Sequence, residues 1–144
     1  MLKELHLENY PIRVLLCTSF TETQHMYDVF GVPFKAQGAA FVERLDTDNL
    51  GAIFVIAFDD LETALRNDIL CHELIHLKNQ IFEYVGVKLD FANDEPEAYY
   101  YGYLYDVISS AIRHNDTHEV QPNEKGSLVH YVKTGGEPSE SDTV

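Results

Sequence analysis

The chain has 144 residues, with 10 Lys or Arg against 24 Asp or Glu, a net charge of −14 and 45% hydrophobic residues. That length predicts a single domain with enough apolar content for a core. The charge argues against reading phosphates through clustered basic residues and against anionic membrane surfaces. The longest apolar run, Ala52 to Phe58, is far too short to span a bilayer.

The first residues, Met1-Leu2-Lys3-Glu4, lack a basic stretch followed by an apolar block, so no signal peptide is expected. Cys17 and Cys71 suggest no disulfide framework and read as reduced thiols in a cytosol. The acidic balance reads first as solubility. Its sharper reading is a nucleic-acid mimic that occupies a basic protein.

Near the start Leu5 and Leu7 alternate with polar residues before Pro11 interrupts, and Ile12 to Cys17 reads as a buried strand. Thr18 to Glu22 looks like a helix start with Thr21 as a possible cap, and the helix ends at Gly31 and Pro33. Ala39 to Leu45 alternates as a second strand, and Asp46 to Asn49 is turn chemistry. From Gly51 a third strand is apolar on both faces and therefore central.

A long helix is expected from about Glu62 to Val85, with Leu70, Leu74, Leu77, Ile81 and Tyr84 as its core stripe and Gly86 as its stop. Val87 to Ala92 is a connector. Asn93-Asp94-Glu95-Pro96 starts a second long helix that ends near His114 or Asn115. Ser127 to Lys133 could form a short strand, and Thr134 to Val144 has the composition of a disordered segment. The organisation expected is a domain over residues 1–118 and a polar acidic C-terminal tail over 119–144, partly disordered.

The chemistry lies in His72-Glu73-Leu74-Ile75-His76. Two histidines four apart stand on one helical face, off the core stripe, at the spacing that lets two imidazoles bind one Zn²⁺. Glu73 is then placed to take a proton from the metal's water. A catalytic zinc site needs three protein ligands and an open position. The downstream candidate is Glu95, nineteen residues after His76, with Glu97 as the alternative. Ala98 and Gly102 lie on the Glu95 side of the second helix, where small side chains would permit close approach to the first helix. Glu97 begins a stripe with Tyr101, Leu104 and Ile108 that looks like the core-facing side.

These motifs resemble those of the zincin metallopeptidases of the gluzincin type, in which HExxH is followed by a Glu in an E-x-x-A helix. His72 to His76 matches the first motif and Glu95-Pro96-Glu97-Ala98 the second. The chain also resembles small HExxH proteins of bacteriophages and prophages over about residues 50 to 114. The resemblance implies an α+β, minimal zincin-like fold: a small mixed sheet of three or four strands, the long HExxH helix, and a second long helix carrying the third ligand. It implies one Zn²⁺ per chain and metal-dependent peptide hydrolysis. Many gluzincins carry an Asp four residues after the third ligand to orient a zinc-bound histidine. Here that position is Tyr99, so Asp94, Asp90 or a backbone carbonyl would have to serve.

In the mechanism expected, zinc acidifies its water and polarises the scissile carbonyl, and Glu73 carries the proton to the leaving amine. One tyrosine among Tyr99, Tyr100, Tyr101, Tyr103 and Tyr105 could steady the oxyanion, although such a stripe more often packs. His114 and His118 are further candidates to reach the cleft, while His6, His25 and His130 have no usable spacing. The expected partner is a protein or peptide substrate held extended along an edge strand, for which Ala39 to Leu45 is the best candidate. Rivals are a non-catalytic zinc-binding phage component for assembly or host interaction, and the acidic mimic.

Overall fold

The computed structural model describes residues 1–48, 50–114, 118–122 and 128–132. The elements in chain order are β1 (Leu2–Leu7), β2 (Ile12–Cys17), α1 (Phe20–Phe30), β3 (Ala40–Thr47), β4 (Gly51–Phe58), α2 (Leu61–Ala64), α3 (Asn67–Val85), α4 (Glu95–Arg113), β5 (His118–Pro122) and β6 (Leu128–Val132). The fold is α+β with a small mixed four-stranded sheet in the order β1-β2-β4-β3. β2 and β4 run parallel in the centre, and β1 and β3 are antiparallel edges. β5 and β6 form a separate antiparallel pair, with β5 lying against β1 and α1. The reading of Thr134 to Val144 as disordered lies outside the described residues, and so do Ser127 and Lys133 at the ends of the strand expected there.

Strand alternation divides the core into two layers. Val14, Leu16, Phe54, Ile56 and Phe58 point to one face, where they pack on Leu70, Leu74, Leu77 and Ile81 of α3 and Leu104 and Ile108 of α4. Leu15, Cys17, Ile53, Val55 and Ala57 point to the other, against Met26 and Tyr27 of α1. Because both faces are covered, β4 is wholly buried from Ile53 to Phe58, which is why it reads as an unbroken apolar run. Cys17 is fully buried, and burial pushes its thiol up to about 12, so it is an inert packing residue.

Several local expectations shift. The cap of α1 is Ser19, whose hydroxyl accepts from the Glu22 N–H, and not Thr21. The single helix expected from Glu62 divides: Asp60 caps a four-residue α2, and Arg66 in an extended conformation (φ −76°, ψ 113°) separates it from α3. No Gly or Pro marks that break, so the apolar spacing runs through it. Gly86 ends α3 at φ 77°, a left-handed setting that favours glycine. Tyr84 leaves the core stripe: it is 50% exposed, with its ring edge-on to Phe54 and Arg44 over its face. Among the described residues no helix is long and apolar enough to cross a membrane.

Candidate functional site

His72, Glu73 and His76 lie in the middle of α3, whose Leu70–Leu74–Leu77–Ile81 stripe is buried on the sheet. At 100° per residue, the two histidines fall opposite that stripe and are exposed. Their Nε2 atoms are 3.1 Å apart, with ring centroids at 4.8 Å and planes at 72°. At that distance one ring donates a proton and the other accepts it. A divalent cation can replace that proton between two nitrogen lone pairs, so the pair fits a borderline metal such as Zn²⁺ at two of its corners.

Glu73 turns a quarter of the way round the helix, toward β3, and is only 7% exposed. Burial raises its pKa, and the neighbouring His72 and His76 offset part of the rise. A carboxylate whose charged form is disfavoured by burial holds a proton more readily than an exposed one, the direction wanted in a proton carrier. A cleft of about 330 Å³ opens beside it, lined by Ala39, Ala40, Asp68, Ile69, His72 and Glu73. Asp68 and Ile69 precede His72 by one helical turn, so the helical period contained them. Ala39 and Ala40 join through tertiary structure alone.

The far wall of the cleft is the free edge of β3. The Asp59 N–H donates to the Ala39 carbonyl, which makes Ala39 and Asp59 a hydrogen-bonded pair. By antiparallel alternation, Ala40, Val42, Arg44 and Asp46 then turn their backbone groups away from β4. The Gln80 side chain confirms this phase by donating to the Val42 carbonyl at 3.2 Å. Gln80 continues the His72–His76 row by one more turn, so α3 clamps the edge at Val42 and leaves Ala40 facing the cleft.

α4 runs antiparallel to α3, joined by three contacts one turn apart. Glu97 forms an ion pair with Lys78, the Tyr101 hydroxyl donates to the Cys71 carbonyl at 3.3 Å, and the Tyr105 hydroxyl donates to Asn67 Oδ1 at 3.4 Å. Burial and the bond to Cys71 push the Tyr101 phenol up to about 12. Glu97 therefore faces α3, as its stripe implied, and its carboxylate is engaged by Lys78. Glu95 is exposed at the first position of α4. Ala98 and Gly102 are also exposed, and a Cβ placed on Gly102 would meet nothing within 4 Å. The small residues thus face solvent and do not mediate the approach of α4 to α3. Lys78 carries no sequence signal as the partner of Glu97, because it sits among the residues α3 buries.

Among the described residues no group of three or more His, Cys, Asp or Glu side chains converges as a metal site. The structure brings His72 and His76 together with Glu73 beside them, and does not bring Glu95 or Glu97 into that group. Tyr99 is 76% exposed on the outer side of α4. Asp94 is an exposed residue before α4 that makes no side-chain cap. Asp90 is occupied in its own turn, with Oδ1 accepting from the Ala92 N–H. His114 closes the far end of α4, thirteen residues beyond Tyr101 or about 20 Å along the helix, and its carbonyl accepts from Lys3. The side chain of His118 lies outside the described residues.

Fold and site together define an α+β chain with a two-histidine seat and a buried carboxylate on a sheet-backed helix. Comparison with protein-family models, curated proteins and solved structures finds no match.

Proposed function

We propose that this chain is a zinc-dependent hydrolase of zincin-like character that cleaves a peptide bond. The observation that carries the reading is the 3.1 Å approach of His72 Nε2 and His76 Nε2 beside a buried Glu73 at the mouth of a cleft. His72 and His76 would hold the ion, with a carboxylate from the first turn of α4, Glu95 or Glu97, as the third donor. A bound zinc would supply Lewis acidity and an acidified water. The chain's own residues supply the rest. Glu73 accepts a proton and returns it to a leaving amine, helped by a site that disfavours its charged form. The outward N–H and C=O of Ala40 pair with an extended backbone and lay it along the cleft. Neutral Tyr101 holds α4 to the backbone beside His72.

The test begins with metal content after purification without chelators. About one zinc per chain is expected, and it should be lost in both His72→Ala and His76→Ala. Tight stoichiometric zinc in either variant would refute the ligand assignment. Hydrolysis is then followed with a quenched-fluorescence peptide library, expected to respond to zinc and to fail with Glu73→Gln.

A second reading, a zinc-holding protein without turnover, is favoured by the lack of a third His, Cys, Asp or Glu converging on the pair among the described residues. In that case zinc binds and Glu73→Gln leaves the biological activity unchanged.

A further inference from the structure

We infer that the groove along the β3 edge is blind beyond the histidine pair, and that it restricts the substrate class to the free amino ends of peptides, from which one or two residues are removed. This rests on the peptide hydrolysis proposed above. α3 and β3 ascend side by side. Asp68, Ile69, His72 and Glu73 line the cleft with Ala39 and Ala40, the Gln80 amide donates to the Val42 carbonyl at 3.2 Å, and the Arg44 guanidinium lies 5.7 Å from the centre of the Tyr84 ring. The last two contacts are crossings between helix and strand, one helical turn apart. Every residue that lines the cleft lies before the first crossing.

That crossing occupies strand-pairing groups. A carboxamide offers the same donor and acceptor as a peptide unit. Gln80 Nε2 takes the outward Val42 carbonyl, and Gln80 Oε1 is buried with no hydrogen-bond partner among the described residues. An unpaired buried acceptor is costly, and its matching donor, the Val42 N–H, faces the same side of the strand. A peptide adding to β3 therefore finds Ala40 open and Val42 taken.

Spacing along α3 sets the length. The histidine pair is centred level with residue 74, so Gln80 lies about 9 Å further along the axis and Tyr84 about 15 Å. An extended chain advances about 3.4 Å per residue, so two residues fit before Gln80 and four before Tyr84. Ala40 sets the polarity. A single opposite residue satisfies both its N–H and its C=O only in antiparallel pairing. An antiparallel peptide runs against β3, so its amino end meets the Gln80 crossing and its carboxyl end leaves through the open side. Hydrolysis then breaks a C–N bond near the amino end: the water's hydroxyl goes to the carbonyl carbon and its remaining hydrogen to the departing nitrogen.

The test digests a randomised mixture of linear decapeptides, and separately their head-to-tail cyclic forms, and weighs the products by mass spectrometry. The parent should release one or two residues from the amino end and cut the cyclic forms at least tenfold more slowly. Gln80→Ala should lengthen the released fragments to three or four residues. Gln80→Ala with Tyr84→Ala should cut cyclic and linear forms within about threefold of each other. A second measurement needs no turnover: fluorescence anisotropy on the metal-stripped parent, with both forms labelled on one lysine side chain, should show the linear form bound at least tenfold more tightly.

Internal cuts in the parent, cuts near the carboxyl end, or fragment lengths unmoved in Gln80→Ala would each overturn the inference. Unmoved lengths together with new dimers on size exclusion would make Gln80 a guard of the strand edge instead. If the parent takes up no zinc and cuts nothing, the hydrolase reading fails. Anisotropy still decides the groove: preference for the linear form keeps it blind, and equal binding removes it.

Discussion

Replacing Glu73 by Gln tests the site through stability as well as through turnover. The carboxylate is 7% exposed, and burial is the leading cause of its raised pKa, with the two histidines offsetting part of it. The folded state therefore keeps a proton on Glu73 at pH values where the unfolded chain, titrating near an ordinary carboxylate, has lost it. Stability falls as pH rises through the unfolded value, and the whole cost stands once the folded value is passed.

At pH 7, Glu73→Gln removes that cost while keeping nearly the same shape. Typical relief at such sites is about 0.5–2 kcal/mol. For a chain of 144 residues this corresponds to a Tm rise of about 2–6 °C. Near pH 3 Glu73 is protonated in both states, and the difference should vanish. Thermal unfolding of both proteins at the two pH values, with chelator present, reads the effect directly. In the same variant, loss of a general base should lower kcat by about 10²–10⁴-fold, or roughly 3–5 kcal/mol in the barrier. A lower Tm at pH 7, or an equal gain at both pH values, would refute the claim that a desolvated carboxylate sits at this position.

Two further tests address the cleft and its support. Ala40→Pro deletes the outward N–H of an edge strand, where proline is tolerated. It should reduce kcat/KM on extended peptides at least about tenfold while changing stability by less than about 1 kcal/mol; unchanged peptide hydrolysis would remove β3 from substrate binding. Leu74→Ala truncates a side chain with 0% exposure between the two histidines and the sheet. Denaturant unfolding should report a loss of about 3–5 kcal/mol, whereas less than about 1 kcal/mol would mean that α3 is not packed as described.

Much of the scaffold was legible because local patterns were left uncontested. Gly51 to Phe58 is legible at its observed limits because burial on both faces leaves an apolar run, and Ile12 to Cys17 because only Arg13 interrupts one. Gly86 ended α3 because a left-handed residue was needed there, and the i, i+4 spacing of His72 and His76 put both rings on one face. The break at Arg66 was not legible, since a change in backbone angle leaves no trace when the flanking residues are good helix formers. The hydrophobic spacing of Tyr84 misled for a related reason: period places its ring on the sheet side, against Phe54 and Arg44, but cannot tell that nothing covers its other half, which stays 50% exposed.

What the sequence determined by itself is the local inventory: a histidine pair with a glutamate between, two long helices, and a central apolar strand. Each follows from spacing along one element, where chain geometry fixes which side chains share a face. Only the tertiary structure decided that Ala40 and Val42 present their backbone groups to α3, that Gln80 closes the edge at Val42, and that Glu97 goes to Lys78. Those outcomes depend on how one helix is rotated against another. That rotation is set by the packing of the whole core, to which no single segment holds the key.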